Sequence, residues 1–140
     1  MRIWSNLLII GLLVVLPSYS GAAATATLPD KLTVIRIDPL HQFSSNYETN
    51  IMNLKQILEL YNKFMHLPPF PEGILNCPMD SGVRYELSFI HGSETVKTAM
   101  VNVTGCQGVT IDHQSYWALE PNGNGFLSSL KKTLGIKVFE

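Results

Sequence analysis

The sequence predicts an α+β domain: an antiparallel sheet of three to five strands, one long and one short helix packed on one face, and one disulfide. Three observations carry that prediction. Residues 84–90 alternate strictly, with Tyr85, Leu87 and Phe89 on one side and Arg84, Glu86 and Ser88 on the other. That is the period-two signature of a half-buried antiparallel strand. Residues 50–66 repeat apolar side chains at steps of three and four, the signature of an amphipathic helix. The chain also carries two cysteines, Cys77 and Cys106.

The elements follow in order. Residues 32–37 (LTVIRI) are β-branched and bounded by Asp30 and Pro39, which predicts a first strand. The polar stretch 38–49 is irregular, with room for a short strand around 42–47. The helix over 50–66 takes its stripe from Ile51, Leu54, Leu58, Tyr61 and Met65, flanked by Ile57 and Phe64. Thr49 or Asn50 is placed to cap its first turn. Leu67-Pro68-Pro69-Phe70-Pro71 ends it, because proline lacks the backbone donor and clashes with the preceding turn.

His91-Gly92-Ser93-Glu94 reads as a hairpin turn. Residues 95–104 return as the partner strand. Val96 and Met100 favour one face there and Val101 and Val103 the other, a conflict that a bulge resolves. A third antiparallel strand is expected over 109–112, and 115–119 can extend the sheet. Phe126, Leu127, Leu130 and Leu134 mark the short helix, with Gly135 suited to the left-handed residue that closes it.

Residues 1–26 read as an export signal. Arg2 and the amino terminus are positive, residues 7–16 (LLIIGLLVVL) are uniformly apolar, and Pro17 and Ser18 break the run. Ala22-Ala23-Ala24 and Ala24-Thr25-Ala26 both fit the small-x-small cleavage pattern. The apolar core is half the roughly 20 residues that a spanning helix needs, so cleavage is expected rather than anchoring. Residues 27–140 then form a single secreted domain.

Composition excludes several classes. Ten Lys and Arg stand against 11 Asp and Glu, so no dense basic face exists to displace counterions from a nucleic acid. Charged residues are 15% and hydrophobic residues 46%, which is too apolar for a disordered chain. In an oxidising compartment Cys77 and Cys106 read as a disulfide closing a loop of 29 residues. A free catalytic thiol beside a histidine is the alternative. Two cysteines without a CxxC pair do not suit zinc.

No complete catalytic, metal or nucleotide motif occurs, and no cofactor is expected. His41, His66, His91 and His113 show no metal-ligand spacing to one another. Asp38 with His41, and Asp112 with His113, can pair, but solvated surface roles suit them better. Lys131, Lys132 and Lys137 complement a helix C-terminus. Asn102-Val103-Thr104 is a glycosylation sequon, a short pattern that often arises by chance.

The segment 67–84, LPPFPEGILNCPMDSGVR, carries the candidate site. Prolines stiffen its start, a disulfide at Cys77 fastens it, and Pro78 fixes the next backbone angle. The expected result is a rigid exposed loop presenting Pro78, Met79 and Asp80. A plain connector into the strand at Arg84 is the competing reading.

LPPFP, CPMDSGVRYELSF, a glycine turn and VTGCQGV together resemble a group of small exported bacterial proteins with no assigned function. Leu134-Gly135 at the end of a last helix recurs there too. The order of a helix, a Cys-Pro-Met loop, a strand, a turn, a strand and a second cysteine also resembles the subtilisin-inhibitor-like family of secreted serine-protease inhibitors. That likeness implies that Met79 enters a protease specificity pocket and that Asp80 follows the pseudo-scissile bond. It also implies that Cys77–Cys106 supports the loop. This chain departs from the family in lacking cysteines for a second, earlier disulfide and the glycine- and histidine-containing segment before the helix. It departs again in placing an acid directly after the reactive bond.

The expectation is therefore a secreted, monomeric, non-enzymatic domain that recognises an extracellular or cell-envelope partner. The alternative is a serine-protease inhibitor acting through Cys77-Pro78-Met79-Asp80. A small hydrolase centred on His113 or His41 stands third.

Overall fold

A computed structural model describes residues 27–73 and 75–135. The expected export signal, Ile74 and Lys137 lie outside the described residues. Eight elements run in chain order: β1 (Lys31–Ile37), β2 (Glu48–Ile51), α1 (Leu54–Met65), β3 (Arg84–His91), β4 (Glu94–Asn102), β5 (Gly108–Ile111), β6 (Gln114–Trp117) and α2 (Phe126–Leu134). The strands form one sheet in the order β2-β1-β3-β4-β5-β6, with every neighbouring pair antiparallel. The α+β class and the disulfide stand as expected, but the sheet has six strands rather than three to five.

Alternation along the strands builds the core face. Leu32 and Val34, Tyr85, Leu87 and Phe89, Ala99, Val101 and Val103, and Val109 and Ile111 are all buried. Against them pack Ile57, Leu60 and Phe64 of α1 and Phe126, Leu127 and Leu130 of α2. The opposite face of the sheet carries no helix among the described residues. The β3–β4 register shifts between Phe89 and Ile90: Phe89 faces Lys97, while Ile90 faces Thr95. Val96 is the extra residue; beyond this bulge the register is regular, and Ala99, Val101 and Val103 share the buried face by simple alternation.

Three local expectations are corrected. The short strand expected around 42–47 is β2, at Glu48–Ile51, pairing Ile51 with Leu32 and Glu48 with Ile35. Asn50 and Ile51 therefore belong to the sheet, and α1 starts later than position 50. Its cap is Asn53, whose side chain accepts from the Gln56 amide at 3.2 Å, not Thr49 or Asn50. The buried stripe is Ile57, Leu60 and Phe64, not the Leu54–Met65 row; Leu54 and Met65 are exposed. Both rows obey the helical period, and packing against the sheet and α2 buries the second.

The helix ends are closed across the α1–α2 contact. Asn124 Nδ2 donates to the carbonyls of Lys63 and His66 at 3.0 and 3.1 Å, satisfying orphan acceptors at the end of α1. Lys63 Nζ reaches Ser129 Oγ at 2.6 Å, and Glu120 accepts from the Gly125 amide at 2.7 Å. Lys131 and Lys132 sit in the last turn of α2, where cations favour the dipole. Gly135 has a positive φ of 84°, as its position suggests, but with ψ 145° it is not in the left-handed helical conformation.

Candidate functional site

The candidate loop is held at both ends before it reaches solvent. Pro68 accepts from the Trp117 amide, and the Phe70 amide donates to Ser115, each at 2.9 Å. A bridge between Pro69 and Tyr116 completes this pairing, so residues 68–70 cover the edge of β6. That satisfies backbone groups which an open edge strand would expose. Phe70 packs edge-on against Trp117, and the Trp117 indole donates to the Cys106 carbonyl at 3.1 Å. Residues 68–70 are thereby tied beside the β4–β5 turn that carries Cys106.

Cys77 and Cys106 are disulfide-bonded, with Cα atoms 4.9 Å apart. Pro78 is exposed, and Met79 projects with 93% of its surface accessible. The chain then folds back at once. Asp80 Oδ1 accepts from the Gly82 amide and from Thr104 Oγ1, both at 2.9 Å. The Ser81 amide donates to Thr104 Oγ1 at 3.0 Å, and Gln42 Nε2 donates to the Ser81 carbonyl at 2.7 Å. Val83, buried, enters the core just before β3.

Gly105 is required where it stands. Its φ is +63°, and a Cβ there would lie 3.0 Å from the Asp80 Cβ. The Asp80 side chain thus lies against the backbone of the β4–β5 turn.

The Gly82 amide, then the Thr104 hydroxyl and the Arg84 charge, hold the Asp80 carboxyl below its ordinary value. A depressed native value means that this stabilisation is present above the ordinary aspartate range and is lost as pH falls through the native value. The Gly82 amide resonance is therefore expected to titrate with a midpoint below about 3.9, the free aspartate value. A midpoint at or above that figure would show that the carboxylate is not held this way.

The other sequence candidates are dispersed. Asp38 accepts from the Phe43 amide at 2.8 Å within the turn that contains exposed His41. His66 Nδ1 contacts the Asn62 carbonyl at 2.7 Å, and His91 Nδ1 contacts the Leu28 carbonyl at 2.8 Å. Asp112 and His113 form the two-residue β5–β6 turn, both with positive φ, and the Asp112 carboxylate is bound by Lys97. Asn102 closes β4, and the sequon's Thr104 hydroxyl is taken up by the loop. Among the described residues, no group of three His, Cys, Asp or Glu side chains is placed to hold a metal ion. Nor is any described helix long and apolar enough to cross a membrane.

Sequence reasoning singled out Cys77, Pro78, Met79, Asp80 and Cys106 but missed Thr104. Pairing Cys77 with Cys106 brings the two segments together, but nothing in residue type or spacing singles out Thr104 as the contact. No family model, curated protein or solved structure matches the chain.

Proposed function

We propose that this is a secreted, non-enzymatic recognition domain that binds a protein partner outside the cell through the 77–80 loop, and that the partner is a serine protease which it inhibits. One observation carries the reading: Met79 is 93% exposed while its near neighbours on both sides, Cys77 and Asp80, are fastened to one turn. A projecting side chain on a rigid segment suits insertion into a pocket of another protein. Rigidity lowers the entropy lost on binding, and burying an unbranched apolar side chain of this size contributes about 1.5–3 kcal/mol. The domain acts as a monomer without a cofactor or metal. Export through residues 1–26 supplies the oxidising setting in which the disulfide persists.

The acid after Met79, a departure from the inhibitor pattern, has a place in this reading. Its carboxylate turns back onto Gly82 and Thr104, so it supports the loop rather than facing the protease with an unpaired charge.

The oxidised protein is expected to give stoichiometric, saturable inhibition of a subtilisin-like protease. Met79→Lys is expected to weaken that inhibition about tenfold or more and to create inhibition of trypsin-like enzymes, because a charge suits their pocket and not an apolar one. Residual activity across a panel of serine proteases checks both. Simple digestion of the protein, or a panel left untouched, ends the inhibitor reading. Capture of a different envelope protein that depends on Met79 would then carry recognition alone.

A further inference from the structure

We propose that the uncovered face of the sheet carries a second binding site, independent of the protease reading, which takes an uncharged sugar chain in a groove across β3, β4, β5 and β6. The register builds the groove. Glu86 of β3 stands opposite Met100 of β4, Met100 opposite Thr110 of β5, and Thr110 opposite Ser115 of β6. Neighbouring strands lie about 4.8 Å apart, so this row runs about 14 Å across the face turned away from the helices. Two hollows flank it. One, of about 320 Å³, lies among Glu86, Thr98, Thr110 and His113. The other, of about 210 Å³, lies among Asn102, Thr110, Ser115 and Phe70. Thr110 borders both and makes them one groove, which reaches the roughly 300–1,000 Å³ of small-molecule sites. Gly108 leaves room for its far wall: a Cβ there would lie 3.4 Å from the Phe70 ring, which Trp117 holds from the side.

The lining is uncommitted. The side chains of Glu86, Thr98, Asn102, Thr110 and Ser115 make no hydrogen bond among the described residues. The neighbouring loop differs, since there Asp80 Oδ1, Ser81 and Thr104 are all bonded to one another or to the backbone. Hydroxyl and amide side chains both donate and accept, and the Glu86 carboxylate accepts. A sugar presents the complement: hydroxyls that donate and accept around its rim, and an apolar C–H face for the negative face of a ring such as Phe70. The strands fix these groups before a ligand arrives, which lowers the entropy lost on binding.

Two other ligand classes fit worse. Among the described residues no lysine or arginine lines either hollow, whereas Asp80, Glu86 and Asp112 do, so phosphates and uronic acids are repelled. None of the exposed large apolar side chains lines the groove, so it lacks the apolar centre of a protein interface.

The test passes the full oxidised protein over chitin, cellulose and starch, with polygalacturonate as the acidic control. Retention is expected on at least one neutral polymer, released by its soluble trisaccharide, and not on polygalacturonate. Thr110→Arg lays a long side chain across the junction of the hollows and is expected to weaken retention about tenfold or more. Thr110 is exposed, so the melting point is expected to stay near that of wild type. Glu86→Gln keeps the shape and removes the charged acceptor, with an expected loss of about threefold to tenfold. Glu48→Gln, on the same face but outside both hollows, is expected to be retained like wild type. If Thr110→Arg folds poorly, Glu86→Gln decides. Passage of the wild type through all three neutral polymers overturns the proposal. So does retention unchanged by both groove variants, or equal retention on polygalacturonate. A wild-type dimer in light scattering that Thr110→Arg makes monomeric would show that a second copy covers this face, and would overturn it too.

Discussion

Phe64→Ala is expected to lower unfolding stability by about 3–5 kcal/mol, the range for deleting a fully packed aromatic ring. Phe64 is 1% exposed, and its ring centroid lies 5.0 Å from Phe89 and 6.1 Å from both Tyr61 and Phe126. It is the point where α1, α2 and the middle of the sheet meet. Removing it deletes contacts to all three elements, and none of them can collapse into the gap without leaving the others. A domain of this size has only about 5–15 kcal/mol in total, so the loss is a large fraction. At about 4 °C per kcal/mol the melting point falls by about 12–20 °C. Met65→Ala, one position along the same helix, is expected to stay within about 0.5–1 kcal/mol, because Met65 is half exposed. Urea unfolding of the two variants side by side checks the pair. Equal losses would place the helix with the wrong face inward.

That comparison bears on what the residues alone made legible. The β3–β4 hairpin was readable because Tyr85, Leu87 and Phe89 alternate without exception and Gly92 marks the reversal. The second helix was readable for the same kind of reason: Phe126, Leu127, Leu130 and Leu134 admit one stripe only. The first helix was legible as a helix but not in phase. Ile51, Leu54, Leu58, Tyr61 and Met65 form as regular a row as Ile57, Leu60 and Phe64. The start of the helix was not legible either, because Asn50 and Ile51 pair with β1, a partner distant in sequence. Four residues of mixed polarity, Glu48 to Ile51, have little local preference for a strand, so the pairing decides. Similarly, prolines 68 and 69 announced the end of a helix but not that the chain would then lie along β6. At the candidate site, Met79 and the cysteines were legible from type and spacing. Thr104 was not, because its role exists only once the bridge has brought two distant segments together.

Breaking that bridge, by Cys77→Ala with Cys106→Ala or by reduction, is expected to have two separable effects. The chain-entropy account of a closed loop of 29 residues gives a loss of about 3–4 kcal/mol, or about 12–16 °C in melting point. Calorimetry with and without reductant measures it, and equal melting points would show that the bridge constrains nothing. The second effect is local. Phe64→Ala leaves the anchors of the loop in place in every folded molecule, whereas loss of the bridge frees the upstream side of Met79 while Thr104 still holds the downstream side. Folded but bridge-free protein is therefore expected to be nicked at Met79–Asp80 by a protease that folded Phe64→Ala withstands. Working below the midpoint of each variant keeps global unfolding out of the comparison. If both variants are nicked at the same rate per folded molecule, stability alone governs the loop. If only the bridge-free protein is nicked, the rigidity of Met79 is a local property, set by the covalent link on one side and the Thr104 hydroxyl on the other.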